Sequence, residues 1–202
     1  MVKIAVLISG GGTNLQSLID NVQSGYINGK IALVVSNKQN AFGLKRAEKA
    51  GIKAEYIKDE EVLIKRLEEE KIDLIVLAGY LAIVSDKLID LYKNKIMNIH
   101  PSLIPSFCGP GYYGIHVHNK AFERGVKVAG ATVHFVSNVV DGGPIILQQS
   151  IDVSSAKSAE EMQEMILLNV EHKILPLAVK MYCEGRIKVE NERVIIIWKE
   201  HL

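Results

Sequence analysis

Features of disulfide-rich, membrane-bound or polyanion-binding proteins are missing from this sequence of 202 residues. The only two cysteines, Cys108 and Cys183, lack CxxC spacing, so they indicate neither a disulfide framework nor a zinc knuckle. The apolar runs 4–8, 74–78 and 194–198 are far shorter than the roughly 20 residues that span a bilayer, and no signal peptide is recognisable. We therefore expect a cytoplasmic protein that has no membrane partner.

The charge of the chain is nearly balanced. Lys and Arg total 24 against 23 for Asp and Glu, which gives a formal net charge of +1. Because such a chain has no overall field to attract a polyanion, we expect no nucleic-acid partner. Hydrophobic residues make up 48% of the sequence, and a chain of this length buries roughly 70% of its unfolded surface. No repeat or linker divides it, so we predict a single domain over 1–202.

Short β-rich runs alternate with helical patterns in the first half of the chain, which is typical of βαβ units and a parallel sheet. The predicted strands lie at about 3–8, 31–35, 53–57, 74–77 and 96–99, and the predicted helices at about 14–24, 43–50, 60–70 and 87–92. In the second half we predict strands at 131–136 and 144–148, a long helix at about 158–183 and a hairpin at 186–198. The predicted fold class is α/β: a Rossmann-like, mostly parallel twisted sheet flanked by helices, with antiparallel strands in the C-terminal half.

A glycine-rich segment, Ser-Gly-Gly-Gly-Thr-Asn at 9–14, joins the first predicted strand to the first predicted helix. Free backbone N–H groups and the helix dipole make such a turn a candidate anion site. The segment is not a GxGxxG fingerprint, because the third glycine would fall on Leu15, and it lacks the Gly-Lys-Ser/Thr of a P-loop. The residues predicted to hold one terminal phosphate are Gly11, Gly12, Thr13 and Asn14. A tight turn without a ligand is the alternative.

Two polar clusters favour a catalytic site: Asn-Ile-His-Pro-Ser at 98–102 and Asp-Gly-Gly-Pro at 141–144. Asn98 and His100 are two residues apart at the end of a predicted strand, so their side chains leave it in the same direction. A carboxylate near an imidazole favours its charged form, and an imidazolium beside an amide donor stabilises an oxyanion. We predict that Asn98, His100 and Asp141 form this site. The alternative interpretation is that Asn98 and His100 are polar groups of an ordinary strand end and that Asp141 belongs to an ordinary turn.

A pair of histidines, His116 and His118, raises the question of a metal site, which Cys108 or His134 would have to complete. A metal usually takes three or four convergent ligands. The residues after His118 indicate that the pair begins a helix, where positions two apart do not face each other. We therefore predict no metal site, and we expect helix capping or substrate-loop contacts for both histidines.

Five segments together resemble the phosphoribosylglycinamide formyltransferases, a branch of the wider family of enzymes that use 10-formyltetrahydrofolate. They are 9–16, 36–38, 78–80, 98–103 and 141–145, and the likeness spans nearly the entire chain. The Asn-x-His-Pro-Ser motif with a later Asp-Gly-Gly is shared across the wider family. The glycine-rich loop and the short length are particular to the glycinamide enzymes.

The resemblance implies a reaction. The amine of glycinamide ribonucleotide attacks the formyl carbon of 10-formyltetrahydrofolate, and the products are formylglycinamide ribonucleotide and tetrahydrofolate, in de novo purine biosynthesis. By the same likeness Asn98 donates to the formyl oxygen, and His100 as imidazolium stabilises the oxyanion and transfers protons. Asp141 holds His100 charged and orients a relaying water. The implied co-substrate is 10-formyltetrahydrofolate, with no metal.

The resemblance also assigns binding residues. It places the nucleotide phosphate on Gly12, Thr13 and Asn14, and the glycinamide portion on Glu171. The implied folate-binding residues are Leu81, Ala82, Ile83, Val84, Asn98, Ser137, Asn138, Val139, Val140 and Asp141. Residues 1–100 thus form a phosphate-binding half, and 101–202 a formyl-folate and C-terminal half. The expected partners are the two small-molecule substrates, and both a monomer and a homodimer fit the sequence.

Three places differ from some relatives. The segment 59–66 lacks an aromatic-x-Ser-Arg entry and Ala82 stands where several relatives have arginine, which weakens the case for folate contacts there. The glycine-rich run 106–114 is longer than in some members. A mobile flap beside the site and an inert surface loop are its two interpretations.

Rival functions come from other formyl-folate enzymes and from simple binding. Methionyl-tRNA formyltransferase carries an additional C-terminal domain and would need a basic surface. Formyltetrahydrofolate deformylase carries an extra N-terminal domain, and we expect neither addition here. A non-enzymatic phosphoribosyl-binding module would leave Asn98, His100 and Asp141 unexplained.

Overall fold

A seven-stranded sheet forms the centre of the computed structural model, which describes residues 1–197. In chain order its strands are β1 (Val2–Ile8), β2 (Gly29–Ser36), β3 (Ala54–Tyr56), β4 (Leu74–Leu77), β5 (Ile96–His100), β6 (Val128–Phe135) and β7 (Ile145–Asp152). Their spatial order is β3-β2-β1-β4-β5-β6-β7. The first five strands are parallel, and β6 and β7 are antiparallel to their neighbours. The predicted fold class is therefore confirmed.

Helices cover both faces of the sheet. They are α1 (Thr13–Gln23), α2 (Phe42–Lys49), α3 (Glu60–Glu69), α4 (Asp86–Leu91), α5 (Ile115–Arg124), α6 (Ala159–Ile166) and α7 (His172–Cys183). A two-stranded hairpin of β8 (Ile187–Glu190) and β9 (Arg193–Ile196) follows, and position 198 of the predicted hairpin lies outside the described residues. Over residues 1–197, every helix is too short or too polar to cross a bilayer.

Two hydrophobic cores lie on opposite faces of the sheet, because successive residues of a strand point in opposite directions. Ile4, Val6 and Ile8 of β1 pack in the core that contains α1 and α7. Ala5 and Leu7 pack in the core that contains α3 and α4. Burial on both faces explains why the parallel strands read as continuous apolar runs in the sequence.

The second half differs in detail from the predictions. Strand β6 begins at Val128 rather than 131, and β7 continues to Asp152 rather than ending at 148. These extensions were missed because they contain small and polar residues, which are held in the strands by backbone pairing between β6 and β7. The paired region begins with Val128 opposite Asp152. The predicted helix 158–183 is also divided, since a π-helical turn, Leu167–Glu171, separates α6 from α7.

The sheet has a topological switch point between β1 and β4, because the chain leaves these two central strands toward opposite edges. In open α/β sheets, ligands bind in the crevice at the carboxyl ends of the strands at such a point. Ser9, which follows β1, connects the surrounding loops. Its hydroxyl donates to Asn37 Oδ1 at 2.6 Å and accepts from the Leu81 N–H at 2.8 Å.

Gly130 provides a test of the β6–β7 packing. A Cβ at this position would lie 2.1 Å from the carbonyl oxygen of Gln149 and 2.8 Å from Leu103 Cδ2. We expect Gly130→Ala to lower the free energy of unfolding by about 1–3 kcal/mol, because the ladder must shift to admit the methyl group. Urea titration measures the change. Gly11→Ala is the matched control, since nothing lies within 4 Å of its Cβ position. Equal stability of the two variants would contradict this packing.

Candidate active site

The glycine-rich loop leads directly from β1 into α1. Gly12 has φ 72°, and a Cβ there would lie 2.7 Å from Gly43 Cα, so this close approach to α2 requires glycine. Within the described residues no side chain caps the start of α1, which leaves its first N–H groups for an anion. Arg46 donates from Nε to the Gly11 carbonyl at 2.8 Å and brings a positive charge to the loop. Sequence reasoning missed Arg46, because nothing in its local pattern indicates this contact.

Asn14 connects the loop to the π-helical turn. Its Nδ2 donates to Glu171 Oε2 at 2.7 Å, and both side chains are buried. Asn14 Oδ1 is also buried and has no hydrogen-bond partner among the described residues. Two residues that were predicted to bind the nucleotide are therefore in contact, although 157 positions separate them in sequence. Together they present acceptor oxygens at one end of a cavity.

The three predicted catalytic residues converge at the end of β5. His100 Nδ1 lies 3.5 Å from Asp141 Oδ2. A further residue, His134, completes the cluster, with its Nε2 at 3.6 Å from Asp141 Oδ1 and at 3.1 Å from Asn98 Nδ2. One carboxylate is thus shared by two imidazoles, and the second of these contacts the amide.

Sequence reasoning considered His134 only as a metal ligand and missed its place in this cluster. Residues Asn98 and His134 lie opposite each other in the antiparallel β5–β6 ladder. His134 Nδ1 lies 2.9 Å from the carbonyl of Phe135, so in the neutral ring Nδ1 donates and Nε2 accepts from Asn98. The available signal was a histidine within an otherwise apolar β-run, because a buried polar group needs a partner.

The run 106–114 lies against the cluster, so its interpretation as an inert surface loop is wrong. The Phe107 carbonyl lies 2.9 Å from His100 Nε2, which donates to it. The Gly109 N–H donates to Asp141 Oδ2 at 2.9 Å. The loop backbone therefore orients both the imidazole and the carboxylate, through contacts that residue types alone do not reveal.

A cavity of about 720 Å³ contains the catalytic cluster and the glycine-rich loop. The predicted residues that line it are Gly11, Gly12, Thr13, Asn14, Leu81, Ala82, Ile83, Val84, Asn98, His100, Ser137, Asn138, Val140, Asp141 and Glu171. Val139 is the exception, because it is absent from the lining and its side chain is 68% exposed. Tyr112, His118 and Gln163 line the cavity as well, although no substrate role was predicted for them.

The two histidines of α5 have different surroundings. His116 is exposed, and its ring centroid lies 5.1 Å from that of Tyr113. His118 is buried. Within residues 1–197, no group of three or more His, Cys, Asp or Glu side chains is placed to hold a metal ion.

Comparison with known proteins identifies the family. The profile of the family described as "Formyl transferase" matches residues 2–179. The chain belongs to the formyl transferase family. A phosphoribosylglycinamide formyltransferase of Haemophilus influenzae is 42% identical over 200 residues, covering 95% of this chain and 92% of the relative. One from Escherichia coli is 38% identical over 199 residues, covering 94% and 91%.

A solved structure supports the same assignment. The crystal structure of glycinamide ribonucleotide transformylase 1 from Symbiobacterium toebii superposes on this formyl transferase with a TM-score of 0.90. It is 41% identical and covers 98% of this chain and 94% of that chain. The resemblance seen in the sequence motifs is therefore confirmed.

Burial and neighbouring polar groups act in opposite directions on two ionisable groups of this cluster in the formyl transferase. Burial lowers the pKa of His100 below its ordinary value, although the Phe107 carbonyl and Asp141 act in the opposite direction. Burial acts to raise the pKa of Asp141, but the adjacent His134 ring, the Gly109 N–H and positive charge on the nearby imidazoles together lower it. Asp141 is therefore a carboxylate at neutral pH.

Glu171 generates a prediction about stability and pH. Burial raises its pKa from 4.5 to about 7, and the hydrogen bond from Asn14 only partly offsets this. The folded chain therefore holds this proton more tightly than the unfolded chain. The stability gained is complete below pH 4.5 and is lost as the pH rises through about 7.

We expect Glu171→Gln to remove this pH dependence, because the amide does not ionise. Between the acidic and alkaline limits, the wild-type chain should lose roughly 3 kcal/mol more stability than the variant. Urea titrations of both proteins at several pH values measure the difference. Asp20→Asn is the control at an exposed acid. Parallel pH profiles for the wild type and Glu171→Gln would contradict the buried, proton-binding carboxyl.

Proposed function

We propose that Asn98, His100 and Asp141 catalyse formyl transfer to glycinamide ribonucleotide in this chain. The chain transfers the formyl group of 10-formyltetrahydrofolate to the amine of this nucleotide, giving formylglycinamide ribonucleotide and tetrahydrofolate in de novo purine biosynthesis. One observation carries the residue assignment. The three side chains converge in the same cavity as a glycine-rich helix start, which suits a phosphorylated acceptor.

The nucleotide occupies the end of the cavity formed by the loop and the π-helical turn. Its phosphate accepts hydrogen bonds from the N–H groups of Gly12, Thr13 and Asn14, in the positive field of the α1 dipole. Glu171 and Asn14 offer acceptor oxygens to the glycinamide portion, and their mutual bond of 2.7 Å supports this role by fixing their positions. Binding in this orientation brings the amine toward Asn98 and His100.

The formyl-folate occupies the other end of the cavity. Residues Leu81, Ile83 and Val140 line it with apolar side chains that are 40% or more exposed, a surface that suits a flat pterin ring. Asn138 and the loop around Ser137 add polar groups at the same end. This arrangement places the formyl carbon next to the catalytic cluster, where the amine arrives from the opposite side.

Attack then proceeds through a tetrahedral intermediate. The amine lone pair forms the new C–N bond, and the carbonyl electrons move to the formyl oxygen. Asn98 donates one amide N–H to His134 Nε2, so its second N–H is available to stabilise the developing oxyanion. The anion raises the proton affinity of neighbouring His100 and so favours its imidazolium form during the reaction.

Collapse of the intermediate completes the transfer. The proton lost by the attacking nitrogen passes through a water oriented by Asp141 to His100, and the resulting imidazolium delivers that proton to folate N10 as the C–N10 bond breaks. Asp141 remains ionised and balances the charge on His100 at 3.5 Å. Formyl group, protons and electrons are then all accounted for in the two products.

Both substrates of this reaction are small molecules. The proposal therefore requires no nucleic acid or membrane, and it places the chain in the cytoplasm as a monomer or a homodimer. The cavity draws on both the 1–100 and the 101–202 halves, which supports the proposal of one functional domain.

Substitution of the catalytic residues tests their roles. We expect Asn98→Ala, His100→Ala and Asp141→Asn to fold normally and each to lose at least about 100-fold in kcat, the usual cost of removing an oxyanion donor or acid–base group. Steady-state assays measure the loss. Asn169→Ala is a matched control, because Asn169 is exposed and its amide donates to the Met165 carbonyl of the preceding helical turn. Near-normal turnover of His100→Ala would remove its assignment.

The acceptor requirement tests the reaction itself. Purified protein is mixed with 10-formyltetrahydrofolate and each candidate acceptor while folate absorbance is followed. We expect tetrahydrofolate to appear only with glycinamide ribonucleotide. Release without an acceptor would indicate a deformylase, transfer to methionyl-tRNA would indicate the tRNA enzyme, and no turnover would indicate a binding module.

A further inference from the structure

His118 is a buried polar residue to which the mechanism above gives no role. It lies near the start of α5, is only 1% exposed and lines the active-site cavity. Both its ring nitrogens are buried and have no hydrogen-bond partner among the described residues. A neutral imidazole has one donor and one acceptor, and leaving both unpaired is costly. The position would be occupied at lower cost by an apolar side chain.

The location of His118 indicates which substrate it faces. Helix α5 packs against α6, whose pocket-facing residue Gln163 is followed by Leu167 and Glu171 along the same cavity wall. His118 and His100 line the same cavity, and a positive charge on His100 lowers the pKa of His118. His118 thus lies by both the catalytic histidine and the wall proposed to bind the nucleotide.

The ring of His118 is neutral. Burial lowers its pKa to about 4, and the charge on His100 acts in the same direction. A neutral ring at this position is suited to exchange hydrogen bonds with an uncharged amide or hydroxyl group. It is poorly suited to the phosphate, which the glycine-rich loop already serves.

We propose that His118 is a further substrate-binding residue, whose imidazole exchanges hydrogen bonds with an uncharged polar group of the ribosyl-glycinamide portion of the nucleotide. The inference rests on the proposed function, since it adds a residue to the same nucleotide site. A substrate contact also explains why a histidine occupies this buried position, because the substrate then supplies the hydrogen-bond partner that the imidazole lacks among the described residues of the protein.

Isothermal titration calorimetry with glycinamide ribonucleotide tests the proposal on the full chain. We expect His118→Phe, which keeps a ring of similar size, to raise the Kd about tenfold or more, because the nucleotide group loses its partner on binding. His118→Gln, which retains a donor and an acceptor, should recover part of the affinity. The Kd for tetrahydrofolate should stay unchanged in both variants.

A second histidine in the same helix gives the matched control. His116→Phe makes the same chemical change at an exposed position two residues earlier, and we expect wild-type affinity. The thermal midpoint of His118→Phe should equal or exceed that of the wild type, because an unpaired buried polar group has been replaced by an apolar one. In the wild type, the ¹⁵N resonances of the His118 ring should shift when the nucleotide binds.

Each contrary result has a distinct meaning. Wild-type nucleotide affinity in His118→Phe, or no shift of the ring resonances, would overturn the substrate contact. A lowered thermal midpoint, or an equal loss of tetrahydrofolate affinity, would overturn it too, since the imidazole would then serve the fold. Failure of the wild-type chain to bind the nucleotide would instead contradict the proposed function.

Discussion

The buried carboxylate of Asp141 is the group on which the organisation of the site depends. It lies 3.5 Å from His100 Nδ1 and 3.6 Å from His134 Nε2, and it accepts the Gly109 N–H at 2.9 Å. A carboxylate in a partly desolvated site needs such partners, and each partner is oriented in return. Through His134 the orientation extends to Asn98. The groups proposed to stabilise the oxyanion are thus arranged before substrate arrives, which is the condition for effective electrostatic stabilisation.

The fold makes this arrangement possible by placing distant segments at one edge of the sheet. Parallel β1, β4 and β5 end at the same edge, and the antiparallel turn into β6 brings His134 opposite Asn98. The glycine-rich loop and the π-helical turn then form the acceptor end of the cavity through Asn14 and Glu171. A π-helical turn often marks a functional site, because its extra residue re-aims a side chain. Here it carries the buried carboxyl of Glu171.

The fold class, and the convergence of the residues proposed as catalytic, could be predicted from the sequence because both are expressed in local patterns. Apolar runs at a steady interval predict a parallel sheet, and two-residue spacing predicts that Asn98 and His100 share a strand face. His134 was missed because strand register is set by long-range pairing. The contacts of Phe107 and Gly109 were missed because they use backbone atoms, which every residue has. The downward shift of the His100 pKa was not predicted, because burial outweighs the neighbouring carboxylate and burial is not readable from spacing.

The most direct measurement of the central claim is the titration of the Asp141 carboxyl carbon by ¹³C NMR in the free protein. The account predicts a pKa below the ordinary value of 3.8, because the donors around this group stabilise its charged form more than burial destabilises it. Asp141 would then be ionised at neutral pH. A pKa at or above 3.8 would contradict the account, since the carboxyl would not be the charged centre that orients both histidines.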